Sequence, residues 1–514
     1  MNDLKRLLGN SLGFSPLEWW KATRRMRDFV RKRGPTQSQA NAVRFLVAVI
    51  PWLGTAVPWF SMASGVLLGR RGHDVTFVID DIPFGAHFLR QRCVVACLRS
   101  VSRLLRHRYD IVFLTDHVST EPIDADARAV VERFGALNAV WAERGEMRAI
   151  EDPSAAARAT VQLARSWSAI GSVIAAARPE VLFVPGGVWG SSGLWVERGR
   201  KAGLRIASFD SGGYGLTLML SVDGIACQLQ DIPRAFKLLK AQSNHDGERS
   251  FIKESALAEI GQRRAGVDKF SSQVKVAEKL DPRLTGAVLL ATNSSWDSAA
   301  LGLHHIFESS TQWIVETIRY LLDHTAASVI VRQHPAERLD IARTSDDYRG
   351  LLDRHFGHHP RLHFIAADEP VNSYELLEQV SAVIAHTSTI GIEAAAFGKP
   401  VITASNSYYS TLGFVRKAVD LADYQHALSD AAQGRLAVTE AMQEDALCCY
   451  YLTQCCYLVF SPFNPEAFHQ WSRFDPQQLA LRPEVHLVLD ALDQNVPVPY
   501  LAHRARFEHR GDRT

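Results

Sequence analysis

From Phe45 to about Arg234 the chain alternates short apolar runs with longer segments whose apolar residues recur every three or four positions. The runs "FLVAVI", "VTFVID", "DIVFLTD", "EVLFVPG" and "LRIASFD" predict buried strands. The segments 86–106, 125–134 and 155–178 predict amphipathic helices between them. Alternation of this kind predicts a parallel, doubly wound α/β sheet. Residues 235–280 are charged, helix-prone and poor in strand signals, as a connector would be. A second alternating set follows, with strands at "GAVLLATN", "SVIVRQHP", "RLHFIAA", "SAVIAH" and "KPVITAS" and helices at 311–324 and 373–380. After about residue 411 the pattern turns helical, and "NVPVPY" near the end reads as an extended tail.

These patterns divide the chain into a basic helical extension (1–43), a first α/β domain (44–234), a helical connector (235–280), a second α/β domain (281–430) and C-terminal helices with a tail (431–514). Length agrees: 514 residues exceed what one hydrophobic core organises. With 47% apolar and 22% charged residues the composition is that of a globular protein. The seven cysteines do not form a disulfide framework, and a reducing compartment is expected. Phe45–Gly69 lacks charge and is long enough to cross a bilayer, but Pro51, Gly54 and Pro58 interrupt it, and a strand–helix–strand unit describes it better.

Net charge is only +2, which gives no case for a nucleic-acid partner. The basic residues concentrate in the first 33 positions, where Lys5, Arg6, Lys21, Arg24, Arg25, Arg27, Arg31, Lys32 and Arg33 interleave with Leu, Trp, Met and Phe. Such a segment fits an anionic membrane surface, or a helix packed on the next domain with its charges in solvent. Its first apolar stretch is short and broken by charges, so a secretory signal is not expected. The expected location is the cytoplasm, at the inner face of the inner membrane if the basic segment engages lipid.

In open α/β sheets ligands bind outside the carboxyl ends of strands, and two such sheets facing each other would leave a cleft between those ends. The polar motifs fall there. "SAVIAHTSTIGIEAAAFG" places Thr387, Ser388 and Thr389 between a strand and a helix, with Glu393 one turn in. Free N–H groups and hydroxyls suit a phosphate, and Glu393 suits ribose hydroxyls. In "SVIVRQHPAE", Pro335 keeps His334 extended at the strand's end, with Arg332 two residues back. In "ATNSSWDSAALG", Ser294 and Ser295 are phosphate donors and Trp296 a base or sugar wall, ahead of an apparent helix. In "ASFDSGGYGLTL", Asp210 ends a strand before Gly212 and Gly213, and its carboxylate suits a general base or acid. "VPGGVWGSSG" makes Gly186 and Gly187 a second glycine loop for the acceptor side. Each also has an ordinary explanation: a cap, a strand-to-loop histidine, a packed tryptophan or an Asx turn.

Other patterns carry less. Asp124-Ala-Asp126 has a D-x-D spacing where a helix begins, a place acids favour anyway. His355, His358, His359 and His363 lie in a polar loop without matching cysteines. Cys448, Cys449, Cys455 and Cys456 repeat every seven residues, which predicts a buried helix face rather than zinc.

Taken together, "WDSAALG", "VRQHPAE" and "HTSTIGIEAAAFGKPVI…YYSTLGF" resemble the donor domain of GT-B glycosyltransferases of the bacterial capsule polysaccharide biosynthesis family, which includes transferases of the acidic sugar Kdo. "FDSGGYGLTLMLSVDGIACQLQDIPR" resembles the matching part of the first domain, and the resemblance covers roughly residues 170–420. It implies two Rossmann-like domains facing across a cleft, a nucleotide-sugar donor (CMP-Kdo-like favoured), and a glycan or glycolipid acceptor. It implies no cofactor and no metal. Bacterial sialyltransferases have similar His-Pro and Ser/Thr motifs on their CMP donor. Carried over, His334 with Ser388 and Thr389 would hold the nucleotide phosphate, and Asp210 would be the catalytic carboxylate. The E-x7-E motif of another GT-B group is absent, since Ala385 stands where its first glutamate would be. A teichoic-acid-type polyol-phosphate transferase and an inactive GT-B scaffold are the competing expectations.

Overall fold

The computed structural model describes residues 16–32, 42–53, 55–83, 88–119, 121–212, 216–242, 246–266 and 282–511. The chain forms two compact units: 1–138, 154–231 and 458–502 make the first, and 139–153, 232–457 and 503–514 the second.

The first unit is built on a seven-stranded sheet of order β13-β6-β5-β4-β1-β2-β3. Its parallel strands are β1 (Arg44–Val49), β2 (Asp74–Ile79), β3 (Asp110–Phe113), β4 (Val181–Pro185) and β5 (Arg205–Ser211). The apolar runs in the sequence locate all of these, because a parallel strand covered on both faces must be apolar throughout. Two antiparallel strands, β6 (Thr217–Ser221) and β13 (Val459–Phe460), extend the edge beyond β5 and were not foreseen. β13 has two residues and carries no pattern, and β6 follows the glycine-rich "DSGGYG", which reads as a loop. Residues 458–502, which begin with β13, belong to the first unit, and Phe463, Trp471, Val485 and Leu489 join its core.

The charge-free stretch resolves as strand and helix. The helix Val57–Arg70 is buried along its whole length, which explains why it carries no polar face. Among the described residues no helix is long and apolar enough to cross a membrane. The helix Pro16–Arg31 turns Trp19, Ala22, Met26, Phe29 and Val30 into the same core. Its apolar face is therefore occupied by protein, as the reading of a helix packed on the next domain expects. Leu17, Trp20, Lys21, Arg24 and Arg31 remain outward. Residues 1–15 and 33–41 lie outside the described residues.

The second unit carries an all-parallel six-stranded sheet of order β12-β11-β10-β7-β8-β9. Its strands are β7 (Val288–Ala291), β8 (Val329–Arg332), β9 (Leu362–Ile365), β10 (Ala382–Ala385), β11 (Val401–Thr403) and β12 (Arg416–Lys417). The winding direction reverses between β7 and β10, the place where such sheets open a crevice. The connector resolves as helices Ile232–Gln242 and Asp246–Arg264, and residues 267–281 lie outside the described residues.

Two local expectations fail. The "extended tail" is the helix Val498–Gly511. Asn495, at φ 52°, ends the preceding helix in the left-handed conformation, and Pro499 sits in the new first turn, where its missing N–H costs nothing. The segment after Asp297 is a run of turns rather than a helix. Asp297 takes the backbone N–H of Ala299 at 3.0 Å, and Gly302, at φ 72°, redirects the chain. The ordinary readings hold elsewhere. Asp124 caps its helix by accepting from Ala127 N at 2.7 Å. Cys448, Cys449 and Cys456 are buried, and Cys455 is partly so.

Gly65, inside the buried helix, is a packing requirement. A Cβ there would lie 2.4 Å from the ring of the fully buried Phe77 and 3.3 Å from Val47. Gly65→Ala should destabilise the first unit by about 1–3 kcal/mol, although alanine is the better helix former by about 1 kcal/mol. Thermal unfolding of the two proteins checks this, and a stabilised Gly65→Ala would show the contact is not tight.

Candidate functional site

The carboxyl ends of β7, β8 and β10 surround a pocket of about 820 Å3 including its open mouth. Arg332 and His334 approach from β8, Ser388 and Thr389 from the β10 connection, and Glu393 from the helix Ile390–Ala396. These five residues, read separately from the sequence as lying at strand ends, meet at the reversal point between β7 and β10.

β8 ends at Arg332, and His334 keeps extended backbone (φ −60°, ψ 122°) before Pro335. Its Nδ1 accepts from Ala336 N at 3.2 Å. A neutral imidazole with an accepting Nδ1 carries its proton on Nε2. Burial, reinforced by the nearby charge of Arg332, pushes the His334 pKa down to about 4. At neutral pH His334 is thus an uncharged N–H donor.

Positive charge comes from Arg332, which is 4% exposed. Nη1 donates to Ala366 O, and Nη2 to Val371 O at 3.2 Å. Nε has no hydrogen-bond partner among the described residues. Burial lowers its pKa to about 10, so it stays charged at neutral pH. Its hydrogen bonds go to carbonyls, and the nearby Glu369 and Asp368 carboxylates offset part of the cost of burying its charge. Glu393 does not cancel it. Its Oε1 accepts from Tyr374 OH at 3.1 Å and lies 3.8 Å from Arg263 Nη1.

The three adjacent hydroxyls have different fates. Thr387 is tied to Asn293, whose Nδ2 donates to its Oγ1 at 3.0 Å and whose Oδ1 accepts from its backbone N at 3.2 Å. Among the described residues Ser388 Oγ makes only a long 3.5 Å contact with Ile390 N, and Thr389 makes no side-chain cap. Tyr409 OH holds the loop through Ser388 O at 2.9 Å. Gly391 makes room for that tyrosine, since a Cβ would lie 2.8 Å from its oxygen. Lys399 of the same motif serves elsewhere, donating to Glu378 O at 3.1 Å and Val380 O at 2.9 Å behind the helix Ser373–Gln379.

Ser294, Ser295 and Trp296 do not join the pocket. Ser294 Oγ donates to Glu337 Oε1 at 3.2 Å and Ser295 Oγ to Asp346 Oδ2. With their protons committed to internal carboxylates, they are not phosphate donors here. Asp346 also accepts from Glu146 N at 3.1 Å and Met147 N at 2.9 Å. The Arg144 guanidinium lies 4.8 Å from the Trp296 ring centre, so that ring is covered by protein rather than lining a base pocket. The cluster docks residues 139–153 onto the second unit. Burial pushes the Glu146 and Glu337 carboxyls up to about 7.

In the first unit Asp210 lies near the end of β5, opposite Met219 of β6, with Oδ1 accepting from Ser211 N at 2.8 Å. Gly212 N donates to Thr217 O at 2.9 Å. Gly213 lies outside the described residues. Gly186 and Gly187, at φ 62° and 114°, follow β4 at this sheet's own reversal point between β1 and β4. A Cβ on Gly186 would lie 2.8 Å from Trp52, whose ring stacks on Trp189 at 5.6 Å.

Sequence reasoning missed Arg263, Asn372, Ser373 and Tyr374 in the pocket wall. The only local signal was the Asn372 cap, which accepts from Tyr374 N at 2.9 Å. It also missed Asp80, 2% exposed at the end of β2, which accepts from Trp195 Nε1 at 3.3 Å and whose pKa burial raises to about 6.

The tautomer assignment is testable. Because the His334 pKa is depressed, its proton is gained only as pH falls toward about 4. In 15N NMR spectra the His334 ring should keep the Nε2–H pattern from pH 8 to pH 5.5. A midpoint near the ordinary value of about 6.5 would contradict the burial argument.

Comparison with known proteins places this geometry. Residues 240–457 match the model of the family described as "Capsule polysaccharide biosynthesis protein". No curated protein matches. Among solved structures, the beta Kdo 2,4 transferase of Thermosulfurimonas dismutans KpsC is 16% identical over 56% of this chain and 84% of its own, with a TM-score of 0.38. The beta Kdo 2,7 transferase of the same KpsC is 16% identical over 59% and 86%, with a TM-score of 0.34. S. aureus MnaA, in a co-structure with UDP, is 10% identical over 88% and 96%, with a TM-score of 0.27. Superpositions this loose carry no part of the argument. That family match encloses every residue of the pocket.

Proposed function

We propose that the protein is a glycosyltransferase of capsule synthesis that binds a nucleotide-sugar in this pocket. One observation carries the reading: a buried, charged Arg332 and a neutral His334 offering Nε2–H meet beside the uncapped hydroxyls of Ser388 and Thr389 at the switch point of the second sheet. A diester-linked phosphate matches that set. Arg332 supplies the counter-charge, and His334 and the hydroxyls supply directional donors. The Glu393–Tyr374–Arg263 array is the proposed contact for the nucleoside. A CMP-linked acidic sugar is the favoured donor, and a glycan or glycolipid of the cell surface the acceptor.

In the proposed reaction an acceptor hydroxyl oxygen attacks the anomeric carbon. The carbon–oxygen bond to phosphate breaks with its electron pair leaving on the phosphate oxygen. The hydroxyl proton passes to the Asp210 carboxylate, and Gly186, Gly187 and Gly212 line the acceptor side. Charge on the leaving phosphate falls to Arg332 and the surrounding donors, so no metal or other cofactor is invoked. The outward basic residues of the helix Pro16–Arg31, with the preceding segment, are the proposed contact with an anionic membrane, which would place the enzyme at the cytoplasmic face.

Calorimetry with CMP-, UDP-, GDP- and dTDP-sugars tests the donor. At least one should bind, and His334→Ala should weaken it by roughly ten- to a hundred-fold, the loss of a hydrogen bond to a charged group. Asp210→Asn should leave that binding intact while lowering turnover by about 10²–10⁴. A phosphodiester product would establish a polyol-phosphate transferase instead. Binding to none of the panel would remove the reading.

A further inference from the structure

In the first unit the helix Phe88–Leu105 connects β2 to β3, the edge strand of the sheet. Arg92, Arg99, Arg103 and Arg106 occur along this helix and its exit at spacings of seven, four and three residues. Those spacings bring all four onto one helix face, in a stripe about 20 Å long at 1.5 Å per residue. Two hollows border the stripe and share Arg99: one reaches Asp81 and Thr115 at the strand ends, the other Phe113 and Asp116.

The stripe is held in place. Arg99 Nη2 donates to Asp81 Oδ2 at 2.8 Å, and its guanidinium lies 4.9 Å from the Phe113 ring centre. The Arg106 guanidinium lies 5.5 Å from the same ring. Asp81, whose side chain is 1% exposed, is saturated by Arg99, Thr115 N at 2.9 Å and Thr115 Oγ1 at 2.8 Å. Arg103 and Arg106 are exposed and make no ion pair among the described residues. Asp116 is the carboxylate facing the second hollow. Like charges gathered around one ring repel one another, and arginine forks match carboxylate and phosphate oxygens.

We propose that this stripe binds an extended anionic saccharide, one that carries carboxylate or phosphate groups along its chain, as the acceptor. Its length suits a chain with repeated charges better than a single ion. Its hollows admit sugar rings, whereas a bilayer meets only outward side chains. Its Arg92 end lies by the residues that follow β2, in the same sheet as the strand that leads to Gly186 and Gly187. The acceptor role rests on the glycosyltransferase reading; anion binding does not.

The full-length protein is titrated with hexagalacturonate, with neutral maltohexaose and with phosphatidylglycerol-containing vesicles at low salt. Hexagalacturonate should bind at least about tenfold more tightly than maltohexaose, and the double variant R103Q/R106Q should lose about tenfold or more of that affinity. R158Q/R165Q makes the same charge change on the exposed side of the helix Ser154–Ala177 and should bind as wild type. Equal loss in both variants, equal binding of the neutral oligomer, or Arg103-dependent binding to vesicles alone would overturn the proposal. R103Q/R106Q should retain nucleotide-sugar binding. Binding of hexagalacturonate without any nucleotide-sugar binding would sink the glycosyltransferase reading while leaving the anion site standing.

Discussion

The second unit is organised around one costly group, the buried guanidinium of Arg332. A charge removed from water needs compensation, and here the backbone carbonyls Ala366 O and Val371 O accept its hydrogen bonds while the Glu369 and Asp368 carboxylates lie near enough to stabilise it. Those carbonyls come after β9, so the arginine fixes the loops beyond β9 to the end of β8. Its charge then sets the state of its neighbour. His334 is held neutral by burial and by Arg332 together, and the Ala336 N–H selects the Nε2 tautomer. Charge and donor are thus arranged before any ligand arrives, as preorganised stabilisation of an anion requires.

The remaining pocket residues owe their positions to how the loops are tied. Asn293 secures Thr387, Tyr409 secures Ser388, and Tyr374 with Arg263 secures Glu393. The two hydroxyls left without a cap, on Ser388 and Thr389, are those beside the guanidinium. Ser294 and Ser295, one connection away, hold residues 139–153 in place. Hydroxyl residues of these two strand-end segments therefore divide between pocket and structure according to the partners that hold them.

Much of this was legible in the sequence because fully covered parallel strands leave a strong apolar signal, and strand ends locate a ligand site. Arg332, His334, Ser388, Thr389 and Glu393 could be placed for that reason. The antiparallel strands β6 and β13 were not legible, since β13 is two residues long and β6 follows a glycine-rich stretch that reads as a loop. The roles of Ser294, Ser295 and Trp296 depended on partners distant in sequence, Glu337, Asp346 and Arg144, which no local pattern reveals. Arg263 and Tyr374 reach the pocket only through the tertiary fold. The helix Pro16–Arg31 was correctly seen as amphipathic, but its apolar face packs on the first core.

The most direct test of the central claim compares CMP with cytidine, read by calorimetry and by the His334 Nε2–H resonance. If Arg332 and His334 form a phosphate cradle, CMP should bind and shift that proton downfield, while cytidine should bind far more weakly and leave it in place. Equal binding of the two, or CMP binding with an unmoved His334 proton, would contradict the account.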